Sequence, residues 1–384
     1  MNSHRPLIAH VVFALRVGGL ENGVVNLINR IPQDRFRHVI ICITDYSDFS
    51  RRIRRDDVEI HALHKQAGKD PGWYLRLWRL LRQLRPDIVH TRNLATLEAQ
   101  FIAFLAGVPG RVHGEHGWDM YDLGGANRKY RLLRRIIRPF VQRFIPLSAE
   151  LHHYLSSHIG VPDSKITRIC NGVDTERFRC QRGERKFPFA PVDTQDILIG
   201  SVGRMELVKD PLNLVDAFVY LVDRSPALRE RVRLVMIGGG SLYDKAVARL
   251  RERGLSDRVW LPGHRDDIAD ILRILDIFVL PSRAEGISNT ILEAMASCLP
   301  VVATRVGGNS DLVEDGRNAI LVKAADSIML AEALSRYIMD PVLRREHGKH
   351  SRARVESLFS IHGMVEKYMA VYDALSHHGK ASAY

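Results

Sequence analysis

The chain has 384 residues, of which 46% are hydrophobic and 26% charged, so its composition is that of an ordinary globular protein with room for two domains. The formal net charge of +12 predicts a polyanionic partner, which could be nucleic acid, an anionic bilayer or a phosphorylated substrate. No uninterrupted run reaches the roughly 18 apolar residues that a spanning helix needs, so any membrane contact is expected to be peripheral.

The four cysteines and the N-terminal segment indicate the cellular compartment in which the protein is found. The cysteines are scattered, without CxxC or Cys/His spacing, and so indicate neither a zinc site nor a disulfide framework. The apolar residues 7–15 contain His10 and lack a cleavage site, which favours a first core strand over a signal peptide. We therefore expect a cytoplasmic protein in a reducing compartment.

The first half of the chain opens with a strand, a glycine turn and a helix. A strand is predicted over residues 8–15 and a helix over 21–29, with Gly18 and Gly19 between them. These glycines allow the backbone to approach a phosphate or sugar, although any tight turn would use them equally well. Alternating elements follow and predict a Rossmann-like domain with a parallel sheet: strands at 38–44 and 87–90, helices at 73–84 and 97–106.

A polar segment, residues 111–119, follows a short apolar element. We interpret it as a sugar-contacting loop, with a purely structural role as the alternative. A metal site built from His113, Glu115 and His116 fails on spacing, and no companion motif supports it.

The second half repeats the same alternation after an aperiodic connection that runs to about residue 193. Strands are predicted at 197–202, 233–237, 259–261 and 276–280, and helices at 211–222, 242–253 and 290–297. The predicted fold class is α/β, with two Rossmann-like doubly wound domains facing across a cleft where ligands would bind. We place the first domain at 1–175, the second at 176–360, and a C-terminal helix and tail at 361–384 that pack back towards the first domain.

Four charged side chains of the second half point to an anionic ligand. Arg204 and Lys209 lie in the loop that follows the 197–202 strand, while Glu285 follows a strand and Glu293 lies in the first turns of the next helix. Helix N–H groups favour an anion, and carboxylates beside it can accept hydrogen bonds from hydroxyls. Each residue alone could be a solvated surface charge, but together they predict a site for an anion that carries sugars.

The order of these motifs resembles the signature of family 4 glycosyltransferases of the GT-B fold. The resemblance rests on segments spread over nearly the whole chain: Gly18-Gly19-Leu20-Glu21, His116-Gly117, Asn171-Gly172-Val173-Asp174, Gly203-Arg204 with Lys209, and Glu285-Gly286 through Glu293. The loop at residues 115–119 and the Glu-Asn-Gly at 21–23 further resemble sugar transferases of exopolysaccharide clusters associated with exosortase/PEP-CTERM systems.

The resemblance implies a metal-independent, retaining hexosyltransferase that moves a sugar from a nucleotide-diphosphate sugar to a glycan or a polyprenyl-diphosphate-linked acceptor, without a cofactor. It implies that the domain at 1–175 binds the acceptor and the domain at 176–360 binds the nucleotide sugar. It implies that Arg204 and Lys209 hold the diphosphate, Glu293 the ribose and Glu285 the donor sugar. His116 would contact the transferred sugar. Gly18 and Gly19 would border the diphosphate and acceptor, and the phosphate would also meet backbone N–H groups of Gly286, Ile287, Ser288, Asn289 and Thr290. Relatives often have Gly-Phe-Gly after the first glutamate, whereas this chain has Gly286-Ile287-Ser288-Asn289 after Glu285. This difference leaves the identity of the donor's sugar open.

The positive charge clusters in the N-terminal half. Three groups carry it: Arg51, Arg52, Arg54 and Arg55; Arg76, Arg79, Arg82 and Arg85; and Arg128, Lys129, Arg131, Arg134, Arg135 and Arg138. Apolar residues accompany the second and third groups, which favours an anionic membrane surface at the cytoplasmic face of the inner membrane over a merely solvated face. We expect no nucleic-acid partner, because no matching motif accompanies the charge.

Two other functions remain open on the sequence. One is a nucleotide-sugar epimerase of the same fold, and the other is a non-catalytic basic scaffold at the membrane. The intact set of Arg204, Lys209, Glu285 and Glu293 speaks against the scaffold.

Overall fold

The structure is a computed structural model that describes residues 5–118, 122–180 and 196–381. The chain divides into two compact units, the first formed by Met1–Asn171 with His362–Tyr384 and the second by Gly172–Ile361. Most of the aperiodic connection predicted before the second domain, from residue 181 onward, lies outside the described residues.

The first unit alternates strands and helices along the chain. Its elements are β1 Leu7–Val12, α1 Gly19–Arg30, β2 Arg37–Cys42, β3 Glu59–Ala62, α2 Gly72–Leu84, β4 Ile88–Arg92, α3 Ala99–Leu105, β5 Gly110–Glu115, α4 Arg128–Ile137, β6 Arg143–Pro146 and α5 Ala149–His153. The six strands pair in parallel in the order β3-β2-β1-β4-β5-β6. All six residues of β1 are buried, because helices cover both faces of the sheet at its centre.

The second unit repeats this arrangement. Its elements are β7 Ile197–Val202, α6 Pro211–Asp223, α7 Pro226–Arg231, β8 Val232–Ile237, α8 Tyr243–Glu252, β9 Val259–Gly263, α9 Ile268–Ile274, β10 Ile277–Leu280, α10 Asn289–Ala296, β11 Val301–Thr304, α11 Asn309–Leu312, β12 Ala319–Val322, α12 Ser327–Met339 and α13 Pro341–Leu358. Its parallel sheet has the order β12-β11-β10-β7-β8-β9. The predicted α/β class with two Rossmann-like domains is therefore confirmed.

The last helix, α14 Ile361–Ala381, lies almost wholly in the first unit although it ends the chain. Tyr372 is fully buried there, and its hydroxyl lies 2.8 Å from Nδ1 of His90 on β4. Its ring packs edge-on against Phe36, and Asp373 pairs with Arg35 at 2.9 Å. The first unit thus builds part of its core from residues at the far end of the chain.

Two arginines of the predicted basic face are in fact buried. Arg134 is 3% exposed and pairs with Glu115 at 2.8 Å and Asp122 at 2.7 Å, and Arg55 is 6% exposed and pairs with Asp57. The sequence grouped them with the cations of a predicted membrane-binding surface because clustering along the chain cannot detect buried carboxylate partners.

The expectation of unpaired cysteines is also wrong for one pair, because Cys180 and Cys298 form a disulfide. The spacing gave no hint of it, since 118 residues separate the two and only the fold brings their Cα atoms within 5.0 Å. Within the described residues, no helix combines the length and the apolar character needed to cross a membrane.

Candidate active site

Two loops of the second unit meet at the carboxyl edge of its sheet. The Lys209 ammonium, in the loop after β7, pairs with the Glu285 carboxylate in the loop after β10. The Ser282 hydroxyl donates to the same carboxylate oxygen at 2.6 Å, and the Arg283 N–H donates to the Val208 carbonyl at 2.8 Å. The structure therefore brings together one cation and one carboxylate that the sequence assigned to the same ligand.

The backbone around Lys209 is fixed by its neighbours. Asp210 has a left-handed conformation with φ of 47°, and the buried carboxylate accepts from Arg283 Nε at 2.8 Å. The α6 helix starts directly after it, at Pro211, whose ring is compatible with a first helical position. Because Arg283 of the opposite loop holds the strained Asp210 in place, we infer that the two loops are rigidly connected.

A pair of glycines supports the Glu285 loop from behind. Gly307 has φ of 48°, and a Cβ placed there would lie 1.8 Å from the Glu285 carbonyl oxygen. The Gly308 N–H donates to the Gly286 carbonyl at 2.9 Å. The backbone of Gly307 and Gly308 thus packs directly against the backbone of the loop that carries Glu285. Only glycine allows the two backbones to approach this closely.

The α10 helix supplies the predicted N-terminus. Ser288 is its N-cap and accepts from the Ile291 N–H at 3.3 Å, so Glu293 lies one turn into the helix. Burial raises the pKa of Glu293 to about 7, although the positive charge of Arg177 opposes this shift. A buried carboxylate such as that of Glu293 is suited to accepting hydrogen bonds from a hydroxylated ligand.

The raised pKa of Glu293 makes stability depend on pH. The folded protein keeps the proton up to about pH 7 while the unfolded chain loses it near pH 4.5, so stability falls as the pH rises between these values and stays lower above them. Glu293→Gln mimics the protonated form at every pH, and we expect it to melt about 7–14 °C above the unmodified protein at pH 8 and to differ less at pH 5. Thermal unfolding at the two pH values measures this difference.

Glu332→Gln is the matched control for that measurement, because Glu332 is exposed on α12. It should leave the melting temperature unchanged at both pH values. A Glu293→Gln effect of equal size at pH 5 and pH 8 would contradict the role assigned to burial.

Arg204 lies in the same loop as Lys209, and its side chain is exposed. Its loop is held to the one after β8: Glu206 accepts from the Ser241 hydroxyl at 2.6 Å and from the Ser241 N–H at 2.9 Å. These bonds, more than the nearby Arg204 charge, lower the pKa of Glu206. Arg204 is therefore an exposed cation on a loop that hydrogen bonds hold in place. Its side chain is accessible to a ligand at the same edge of the sheet.

The other predicted site residues belong to the first unit. Gly18 and Gly19 lie at the start of α1, where Gly18 is the N-cap. The His116 N–H, just after β5, donates to the Asn93 side chain at 2.7 Å. Burial, with the charges of Arg92 and His113, lowers the pKa of His116 to about 3, so its ring is neutral.

Glu115, next to His116, is not available to a ligand. It is 1% exposed and, although burial opposes its ionisation, the Arg134 guanidinium holds its pKa low. The prediction of a loop over residues 111–119 is wrong for its first five residues, which belong to β5, where Glu115 is the last residue. Only residues 116–119 follow the strand, and Asp119 lies outside the described residues.

Comparison with protein families identifies both units. Residues 17–177 match the model of Glycosyltransferase Family 4, and residues 196–340 match that of Glycosyl transferases group 1. The chain carries two glycosyltransferase domains. The predicted fold and the predicted glycosyltransferase family agree with these two matches.

Two similar proteins are named for sugar transfer, one to a lipid-linked acceptor and one in capsular polysaccharide biosynthesis. The chain is 29% identical over 375 residues to an Escherichia coli UDP-Gal:alpha-D-GlcNAc-diphosphoundecaprenol alpha-1,3-galactosyltransferase, covering 95% of this chain and 96% of that protein. It is 26% identical to the capsular polysaccharide biosynthesis glycosyltransferase CapM of Staphylococcus aureus, covering 78% and 80% of the two chains.

Solved structures share the fold. A glycosyltransferase from Rickettsia africae ESF-5 superimposes with a TM-score of 0.81 at 19% identity, covering 97% of this chain and 99% of that one. Anabaena Alr3699/HepE, solved in complex with UDP and glucose, gives a TM-score of 0.79 at 18% identity, covering 96% and 100%. Their crystal structures are thus similar to this chain over nearly its full length.

Several residues that shape the second-unit site escaped the sequence analysis. Gly307, Gly308, Glu206 and Asp210 carry no motif of their own, and their roles depend on loops brought together by the sheet. The one available signal was the adjacent pair Gly307-Gly308, which predicts a close backbone approach.

Proposed function

We propose that the protein is a retaining glycosyltransferase of the hexosyltransferase type, which moves a sugar from a nucleotide-diphosphate sugar to a glycan or polyprenyl-diphosphate-linked acceptor. The observation that carries the proposal is the pairing of Lys209 with Glu285 across two loops of the second unit, beside the start of α10. The named activities of the E. coli and S. aureus relatives support the same chemistry.

The proposed mechanism stabilises the leaving diphosphate. As the sugar becomes oxocarbenium-like, negative charge grows on the diphosphate, where Arg204, Lys209 and the backbone N–H groups of residues 286–290 receive it. Glu285 positions the donor sugar through its hydroxyls, and Glu293 holds the ribose. Because fixed cations perform this task, we propose that transfer needs no metal.

Retention is proposed to follow from attack on the face that the diphosphate leaves. The departing phosphate oxygen then takes the acceptor's proton, so no side chain serves as general base. His116 contacts the transferred sugar, and Gly18 and Gly19 border the diphosphate and acceptor.

A panel of nucleotide sugars tests the proposal. The protein is incubated with UDP-galactose, UDP-glucose, UDP-N-acetylglucosamine or GDP-mannose, with and without a diphosphate-linked N-acetylglucosamine acceptor, and nucleoside diphosphate release is measured. Acceptor-dependent release and an α-linked product from an α-linked donor are expected. Release of a free sugar isomer without acceptor would indicate an epimerase, and nucleotide binding without turnover would indicate a scaffold.

We further propose a role in exopolysaccharide or cell-surface polysaccharide synthesis at the cytoplasmic face of the inner membrane. The relatives named above act on lipid-linked or capsular glycans, which supports the role. The association with exosortase/PEP-CTERM clusters rests on the resemblance of residues 115–119 and 21–23.

The α4 helix is the proposed membrane contact. It exposes Leu132 at 58% and Ile136 at 56%, one turn apart, next to the exposed cations Arg128, Lys129 and Arg135. An amphipathic helix with these features binds an anionic bilayer through both apolar burial and charge.

Replacing both apolar residues should weaken membrane binding. We expect Leu132→Gln/Ile136→Gln to reduce flotation with vesicles of anionic phospholipid at low salt by at least tenfold, because each buried aliphatic side chain contributes about 1.5–3 kcal/mol. Ile328→Gln/Met329→Gln is the control, since these residues are 50% and 43% exposed on α12 of the second unit. Equal flotation of all three proteins, or binding that ignores lipid charge, would refute the membrane contact.

A further inference from the structure

A buried arginine of the first unit is not used by the proposed mechanism. Arg92 is the last residue of β4, at the carboxyl edge of the sheet, and is only 3% exposed. Its Nη2 lies 3.2 Å from Nδ1 of His10 and 3.2 Å from Nδ1 of His90. Its Nη1 is buried without a hydrogen-bond partner among the described residues.

The charge of Arg92 is uncompensated at close range. Among the described residues no carboxylate forms an ion pair with it, whereas the buried Arg55 and Arg134 of the same unit pair with aspartate or glutamate. Burial lowers the pKa of Arg92, and Tyr372, Tyr368 and Glu21 oppose this only in part. An isolated buried charge is costly, so proteins usually pair it.

The surrounding histidines add donors but no charge. Burial and the Arg92 charge hold the pKa of His10 and His90 well below the usual value, so both rings are neutral. Because Nδ1 of His90 faces the Arg92 donor, the ring carries its proton on Nε2. That N–H group is buried and has no partner among the described residues.

The ring of His116 also lies close to Nε2 of His90. Nε2 of His116 is also buried and unpartnered among the described residues. A Cβ at Gly114 would lie 2.5 Å from Nε2 of His116 and 3.5 Å from Nε2 of His90, so both nitrogens lie beside this glycine. Asn93, which binds the His116 backbone, has φ of 58°, a strained conformation typical of functional sites.

We propose that Arg92, with His90 and His116, binds a phosphate-type oxyanion, namely the phosphate group of the acceptor. The guanidinium supplies the opposite charge and the histidine Nε2 atoms supply hydrogen bonds, which is the donor set that an oxyanion requires. The site lies where open α/β sheets bind ligands, beyond the carboxyl ends of the strands. The assignment of the anion to the acceptor rests on the proposed transferase function, but the anion site itself does not.

Binding of inorganic pyrophosphate tests the anion site. Isothermal titration calorimetry is performed on the full-length protein in saturating UDP, which keeps pyrophosphate from reporting on the second unit. We expect Arg92→Gln to weaken binding at least tenfold and Arg92→Lys to weaken it less. Arg55→Gln is the control for loss of a buried arginine and should leave the pyrophosphate affinity within twofold. Undiminished binding by Arg92→Gln, or no binding by the unmodified protein, would overturn the site.

Kinetics with two acceptors test where the anion comes from. A diphosphate-linked N-acetylglucosamine is compared with the same sugar on a neutral alkyl group. Arg92→Gln should raise KM at least tenfold for the first acceptor and leave KM for the second unchanged, with similar kcat. Equal losses with both acceptors would exclude the acceptor as the source. If no donor supports transfer, the proposed function fails while the calorimetry still decides the anion site.

Discussion

Replacing Lys209 by alanine is expected to lower kcat for sugar transfer by about 100- to 1000-fold, or about 2.7–4 kcal/mol, as the loss of a charge-stabilising donor does in other enzymes. The Lys209 side chain is only 23% exposed and its ammonium pairs with Glu285, so it is held at the carboxyl edge of the sheet before any ligand arrives. Its removal takes away a cation from the leaving diphosphate and leaves the Glu285 carboxylate, 7% exposed, unpaired beside it. Steady-state release of nucleoside diphosphate measures the effect.

The controls for this variant separate the site from general loss of charge. Lys245→Ala removes an exposed lysine of α8 in the same unit and should keep normal turnover. Arg204→Ala should reduce turnover in the same range. Glu285→Gln combined with Lys209→Ala should cost less than the sum of the single changes, because the two groups interact directly. Normal turnover in both cation variants would refute the assignment of the diphosphate site.

Replacing Gly307 by alanine is expected to lower turnover by about 100-fold, the loss that a displacement of about 1 Å in a catalytic group can cause. The added Cβ would lie 1.8 Å from the Glu285 carbonyl oxygen, which is backbone and cannot rotate away. The loop that carries Glu285 must therefore move and carry its carboxylate away from Lys209. Turnover and thermal unfolding, measured on the same preparation, report the two consequences.

Gly316→Ala is the matched control for the glycine prediction. Gly316 has a similar left-handed backbone, with φ of 77°, but no heavy atom lies within 4 Å of the Cβ position. Both substitutions share the backbone strain of about 1–2 kcal/mol, and only Gly307→Ala meets a neighbour. Equal activity of the two variants would show that support of the Glu285 loop is not what matters.

Much of the fold was predictable because apolar runs and glycine turns mark its central elements. Strand β7 has the predicted bounds, and α6 and α10 differ from prediction by a residue at their ends. Strands β3, β5, β6, β11 and β12 were not predicted. No residue of β3 is fully buried, so that strand shows no apolar run, and the burial of β11 and β12 comes from neighbours distant in the chain.

The candidate site was predictable in its charges but not in its supports. Arg204, Lys209, Glu285 and Glu293 follow strands in sequence, and parallel strands bring such residues to one edge. The contact of Gly307 with Glu285 depends on two backbones packed at one distance, which no local pattern records. The burial of Arg134 was likewise invisible, because its partners Glu115 and Asp122 lie on other segments.

The contribution of α14 to the first unit affects how the protein is made. Residues near position 370 complete a core that begins at residue 7, so during translation the N-terminal half emerges from the ribosome long before Tyr372 and Asp373 exist. Until synthesis ends, His90 and Phe36 lack the partners that cover them. A gene fragment that stops after residue 171 would leave this surface bare, whereas one that joins residues 362–376 to it through a linker would restore the cover.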